Sequence, residues 1–242
     1  MPYITVLLNQ KGGVGKSTIT VNLAAVYSEI LGGDQSVAVV SIDPQGTSIE
    51  WADRVEQAGR KVPFRVVDAS DNIDNLRRLR RAKADIIIVD TPGFMPLKGK
   101  ISDESIDPLG DGTVGDSLRA ILDIADDVIV PVEAEGAGFT PTKTTIQRVV
   151  LPRQIPYGVL ISNWDPRDST ADLEKTQHMV KKTGWELYNT TIRHYKPHAR
   201  GITSGRFCTQ YEANRVAANA KQDFMALALE HQLRRQKYVG AR

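Results

Sequence analysis

A single cysteine, Cys208, in a chain of 242 residues excludes an internal disulfide, and no cluster of Cys and His has zinc-ligand spacing. The expectation is a reduced protein without a metal cluster, in which Cys208 is a buried or incidental thiol. Long apolar runs are missing too. No stretch approaches the length of a membrane span, and the opening MPYITVLL has neither the charged start nor the cleavage region of a signal peptide. No internal repeat or low-complexity block interrupts the chain, and charge of neither sign is in large excess, with 31 Lys and Arg against 29 Asp and Glu. Disulfide-stapled, membrane-spanning and repeat architectures are thereby excluded. What remains is a cytoplasmic chain, read as a single domain over residues 1–242 that is long enough to bury a sizeable core.

Strand and helix signals alternate along it. Apolar and β-branched runs at 3–8, 36–43, 63–67, 84–90, 126–132 and 156–163 read as strands, separated by helical spacing at 17–31, 47–59, 71–83, 116–125, 140–150 and 169–183. Continuously apolar strands between helices predict an α/β fold: a mostly parallel, twisted sheet covered by helices on both faces, with ligands at the carboxyl ends of the strands. The segment 94–116 is rich in Gly, Pro and Asp and follows a strand end directly. It reads either as a mobile loop near the active face or as a plain surface insertion.

The first strand runs into NQKGGVGKST, residues 9–18, and then into a helix. Strand, glycine-rich turn and helix in that order are the context of a phosphate-binding P-loop. Gly12, Gly13 and Gly15 allow backbone N–H groups to face phosphate oxygens, and the helix start adds partial positive charge. Lys16 is placed for the β- and γ-phosphates and Ser17 for Mg²⁺; Val14 and Thr18 complete the loop. Downstream, the apolar strand IIIV ends in Asp90-Thr91-Pro92-Gly93, an acid tipping a strand in the manner of a Walker B site that holds Mg²⁺. Asp90 also reads as a turn or cap residue; Gly93 joins the candidate nucleotide contacts.

The usual glycine at the head of the P-loop is absent: Gln10 stands there, and Lys11 follows. KGGVGKST resembles the deviant P-loop of the ParA/MinD group of ATPases, and the resemblance extends over most of residues 2–235. It implies ATP and Mg²⁺ as cofactors, a homodimer that forms with ATP, and a role for Lys11 across the dimer interface at the phosphates of the other subunit. It also implies that Asp43, in Asp43-Pro44-Gln45-Gly46, positions the attacking water and belongs with Ser17 and Asp90 to the metal site. Read alone, DPQG is a good β-turn as well. The family often has an aspartate two residues before this motif, where Ser41 stands here. That departure puts the hydrolytic role of the missing acid in doubt and leaves a non-catalytic, nucleotide-gated scaffold open. The guanine-reading N-K-x-D of related NTPases is replaced by Asn163-Trp164-Asp165-Pro166, so adenine is expected, with Asn163 either facing it or making a local turn. The first strand starts at Tyr3, and no helix-turn-helix domain of the kind found in longer partition ATPases is expected.

Ten Lys and Arg face three Asp and Glu between residues 193 and 242, a net of +7, whereas residues 1–192 carry a net of −5. Arg193, Lys196, Arg200 and Arg206 are the candidate contacts for non-specific DNA; a merely solvated basic surface is the alternative. Arg77, Arg78, Arg80 and Arg81 form a second cluster, read as a solvated helix face. Near the C-terminus, Phe224, Leu227 and Leu233 form a helical stripe that suits docking onto the domain, and the tip KYVGAR lacks large apolar anchors, so no membrane contact is expected. The family resemblance then implies a partition ATPase associated with the nucleoid when ATP is bound and stimulated by a ParB-like centromere-binding protein. A membrane-associated MinD-like protein and a carboxysome- or cargo-positioning ATPase are the alternatives.

Overall fold

The first strand, β1 (Tyr3–Leu7), is fully buried and lies at the centre of one seven-stranded parallel sheet. The computed structural model describes residues 1–32, 36–94, 107–134 and 139–240. Strands β2 (Val37–Ser41), β3 (Arg65–Asp68), β4 (Ile86–Asp90), β5 (Asp127–Glu133), β6 (Tyr157–Trp164) and β7 (Leu187–Arg193) complete the order β3-β2-β4-β1-β5-β6-β7. Every pairing is parallel. The chain order reverses around β1, and the crevice this creates at the carboxyl ends of the strands is where ligands bind in such sheets.

Alternation along the central strands divides the core in two. Ile4, Val6, Ile87 and Val89 face one side, Leu7, Ile86 and Ile88 the other. The first face is covered by α3 (Ile73–Arg78), α4 (Thr113–Leu122), α5 (Phe139–Thr144, continuing as a wider π turn over Thr145–Val150) and α6 (Thr170–Lys182), through Leu76, Leu118, Ile121, Val149 and Val180. The second takes α1 (Lys16–Leu31), α2 (Thr47–Gln57) and α8 (Arg215–Gly240), through Ile19, Val26, Trp51, Val55, Phe224 and Leu227.

The predicted α/β fold with a parallel sheet and helices on both faces is the one observed. Two elements are additional. β7 was absent from the expected strands because LYNTTIR is largely polar, and only Tyr188 and Ile192 of it are deeply buried. Helix α7 (Lys196–Ser204) falls within the expected basic segment; Pro197 sits in its first turn, where proline is tolerated, and Gly201 packs against Trp51 so closely that a Cβ would lie 2.4 Å from the indole. Of the C-terminal stripe, Phe224 and Leu227 dock on the sheet, while Leu233 is 59% exposed. Residues 95–106 of the expected loop lie outside the described residues; α4 begins at Thr113, three residues before the expected start.

Candidate nucleotide site

The β1–α1 turn is held open by glycine and tied down by side chains. Gly13 and Gly15 adopt φ of 79° and 85°, conformations that residues with a Cβ rarely take, and Gly15 caps α1 without any side-chain hydrogen bond. The first N–H groups of α1 therefore face the cleft with no side-chain cap, the arrangement that binds anions. Asn9, fully buried, donates to the Pro131 carbonyl (2.7 Å) and to Thr142 Oγ1 (2.9 Å), and its Oδ1 accepts the Lys11 N–H. Ser162 Oγ donates to the Val14 carbonyl at 2.9 Å, so β6 supports the loop from below. Gly93 passes so close that a Cβ there would lie 3.2 Å from the Gln10 carbonyl oxygen and the Gly12 nitrogen.

A cleft of about 840 Å³ opens in front of this loop, lined by Gly12, Gly13, Gly15, Lys16, Ser17 and Thr18 from the loop, Asp43 and Gln45 after β2, Gly93 after β4, and Leu109 to Asp111 before α4. The described end of the 94–116 segment thus borders the cleft. Lys16 is buried, and its ammonium donates to the carbonyls of Lys11 (3.0 Å) and Asn9 (3.3 Å). Burial lowers its pKa, and Asp90 and Asp43 act in the opposite direction. Asp90 is fully buried at the tip of β4, and desolvation raises its pKa to about 6 against the lowering effect of the Ser17 and Ser48 hydroxyls. Neither Asp90 oxygen has a hydrogen-bond partner of ordinary geometry. A buried carboxylate with unmet acceptors, beside Ser17 and Lys16, is a donor set that suits a hydrated Mg²⁺ accompanying a phosphate chain. Asp43, half-buried, accepts the Gly46 N–H at its carbonyl (2.9 Å), which closes the β-turn expected of DPQG; its carboxylate accepts the Gln45 N–H at 2.9 Å, and the residue borders the same cleft. Ser41 is the register partner of Asp90 in the β2–β4 ladder and is fully buried, so the adjoining position holds a small hydroxyl rather than a second acid.

Val14 and Asn163 lie toward the other end. Asn163 adopts φ of 59°, donates to Glu133 Oε1 at 3.0 Å and bonds His194 Nδ1 at 2.6 Å. It borders a cavity of about 150 Å³ between Gly13, Thr18 and α7. His198 closes that cavity, held near Tyr211 (3.0 Å) and kept neutral by burial, which lowers its pKa to about 4. Asp165 is turned onto Arg167, not toward the cavity. Lys11, half-buried at the head of the loop, forms an ion pair with Glu133. Glu133, not anticipated, tips an apolar strand as Asp90 does, the signal by which it was legible in VIVPVE.

The four basic candidates separate into two pairs. Arg193 chelates Asp223 (2.5–3.0 Å), whose side chain is only 7% exposed, and covers the Tyr195 ring; Arg206 pairs with Glu212 at 2.6 Å. These two guanidiniums are committed within the chain, because β7 brings Arg193 against α8 and the turn after α7 brings Arg206 to Glu212. Lys196 and Arg200 are exposed on α7. Of the second cluster, Arg80 holds Asp126 at 2.7 and 3.0 Å, and Arg77 lies 3.7 Å from Asp74. Cys208 is buried, with its thiol pKa pushed up by desolvation.

The sequence profile of the CobQ/CobB/MinD/ParA nucleotide binding domain matches residues 5–203. The chain belongs to that family. It is 30% identical over 230 residues, 95% of its length and 94% of the relative's, to the maintenance of carboxysome distribution protein A of Gloeobacter kilaueensis. It is 29% identical to the chromosome-partitioning ATPase Soj of Thermus thermophilus, over 77% of this chain and 81% of that one. The ATP complex of a Cyanothece McdA variant shares the fold, with a TM-score of 0.62, 13% identity and coverage of 94% and 96%. No described helix of the chain is long and apolar enough to cross a membrane.

Proposed function

We propose that this chain is an ATPase of a positioning or partition system, a single P-loop domain over residues 1–242 that closes into a homodimer on ATP and uses DNA as its matrix. The observation that carries the reading is that Lys16, Ser17 and Asp43 line one cleft at the carboxyl ends of parallel strands, with the buried Asp90 carboxylate acting on Lys16 and Ser17 from the tip of β4 and Lys11 at the head of the same loop. In this reading the α1 N–H groups and Lys16 hold the β- and γ-phosphates, and Ser17 with Asp90 and Asp43 holds hydrated Mg²⁺. Bound Mg²⁺ neutralises phosphate charge. Asp43 orients the water that attacks the γ-phosphate, and Lys11 of each protomer reaches the partner's phosphates, where a second ammonium offsets developing charge. Asn163 with neutral His198 bounds the space for adenine.

DNA is favoured as the matrix by exposed Lys196 and Arg200 on α7, whose neighbours His198 and Ala199 border the nucleotide cavity. Helix α8 buries Phe224 and Leu227 on the core and keeps Met225, Leu229 and Leu233 exposed, and the tip KYVGAR adds no large apolar anchor, so a membrane is the weaker reading of the matrix. The protein then resides in the cytoplasm and on the nucleoid when ATP-bound, stimulated by a ParB-like adaptor. The carboxysome-distribution relative, aligned over nearly the whole chain, favours a protein compartment as a second class of cargo. The test is light scattering with ADP and with ATP, together with phosphate release. Wild type is expected to dimerise only with ATP, and Asp43→Ala to accumulate as a non-hydrolysing ATP dimer. An ATP-bound monomer for both proteins would refute the reading.

A further inference from the structure

We propose that Glu133 is a positioning residue that holds the Lys11 ammonium on its own protomer and surrenders it when an ATP dimer closes. The inference rests on the proposed trans role of Lys11 and adds the residue that regulates it. Lys11 is anchored twice by its backbone: its N–H donates to Asn9 Oδ1 at 2.9 Å and its carbonyl accepts Lys16 Nζ at 3.0 Å. Only its side chain is free to swing, and that side chain is paired with Glu133 Oε2. The pair is partly sheltered, with the side chains 28% and 18% exposed. The other Glu133 oxygen accepts Asn163 Nδ2 at 3.0 Å, and Asn163 in turn bonds His194 at 2.6 Å. Glu133 is therefore fixed from both sides, by the end of β5 and by a hydrogen-bonded chain leading to the small cavity near α7. For Lys11 to reach a partner's phosphates, this ion pair has to break in each protomer, twice per closed dimer. Glu133 thus sets a threshold that only phosphate charge across the interface overcomes, which keeps Lys11 off the interface of a nucleotide-free protein.

The test uses Glu133→Gln, which keeps the acceptor for Asn163 and removes the charge, and Glu133→Asp, which keeps the charge and withdraws it by one methylene. Acylation of Lys11 in nucleotide-free protein, followed by mass spectrometry, reads the pair without reference to activity. Wild-type Lys11 is expected to react more slowly than exposed Lys196, and both variants are expected to speed Lys11 about threefold or more. Sedimentation with ATP is expected to give a dimerisation constant about 3- to 30-fold tighter for Glu133→Gln, the range for losing two partly exposed pairs. In a Lys11→Ala background Glu133→Gln is expected to restore no ATP dimer, whereas a gain unrelated to the Lys11 ammonium would persist there. Unchanged Lys11 acylation in both variants, or weaker dimerisation of Glu133→Gln, would overturn the proposal. Normal ATP dimerisation of Lys11→Ala alone would instead remove the trans role on which it rests, so the two failures are distinguishable.

Discussion

Asp90→Asn is expected to make the metal-free protein more stable at neutral pH while removing its hydrolytic activity. Asp90 is fully buried, and its pKa stands at about 6 in place of the ordinary 3.8. An unfolded chain loses this proton near 3.8 and the folded one only near 6, so in that window the folded state binds more protons and stability falls as pH rises. The cost is absent below the unfolded value and complete above the folded one; roughly two pH units at about 1.4 kcal/mol each amount to about 3 kcal/mol. Asparagine removes the charge but leaves an amide that needs Ser17 and Ser48 as partners, so the net gain expected at pH 7.5 is about 1–3 kcal/mol, or roughly 2–10 °C in Tm for a chain of this size. Because the wild-type penalty at pH 5 is about half its full value, the gain should fall by about 1.4 kcal/mol there. Thermal melts of both proteins in a chelator at pH 5, 6 and 7.5, alongside phosphate release with Mg²⁺, are the assay. A variant less stable than wild type at pH 7.5, or a gain that does not change with pH, would refute the reasoning.

Lys16→Ala is expected to abolish ATP binding, measured with a fluorescent analogue, while Lys11→Ala still binds ATP but fails to dimerise; equal loss of affinity in both would contradict separate roles. Gly93→Ala puts a Cβ 3.2 Å from two P-loop backbone atoms, so the loop must shift. ATP affinity should fall about tenfold or more, as for the loss of one charge-assisted hydrogen bond, with the melting transition preserved. Arg193→Ala strands a nearly buried Asp223 and should cost about 2–4 kcal/mol in urea unfolding, discounted from the fully buried range because Arg193 is 27% exposed. A stability unchanged from wild type would show that the Arg193–Asp223 pair is not structural.

What the sequence made legible is local. The P-loop needs a strand, glycines at fixed offsets and a helix start within about a dozen residues, and the motif specifies its own geometry. Asp90 and DPQG were readable because an acid or a turn ends an apolar strand; DPQG borders the cleft and Asp90 lies buried beside Ser17 and Lys16. The misses are all long-range. Arg193 meets Asp223 thirty residues on, through a β7–α8 contact that no periodicity announces. β7 went unseen because an edge strand that buries two side chains needs little apolar sequence. Lys11 and Glu133 are separated by 122 positions and meet only because β5 lies beside β1. Leu233 was grouped with Phe224 and Leu227 by spacing, yet α8 extends past the sheet surface that buries them.

Closure of an ATP dimer is proposed to gather the exposed cations of α7 into one DNA-binding face. Fluorescence anisotropy on two unrelated duplexes, with ADP and with ATP across a salt series, tests it most directly. Lys196 and Arg200 from both protomers supply about four phosphate contacts, so affinity with ATP should fall roughly a hundredfold or more between ~50 and ~200 mM salt. Binding should be alike for both duplexes and much weaker with ADP. The Lys196→Ala/Arg200→Ala double variant should flatten the salt slope by about two units per protomer while its ATP dimer persists. Binding that is equal with ADP and ATP, or tight binding that ignores salt, would contradict the claim.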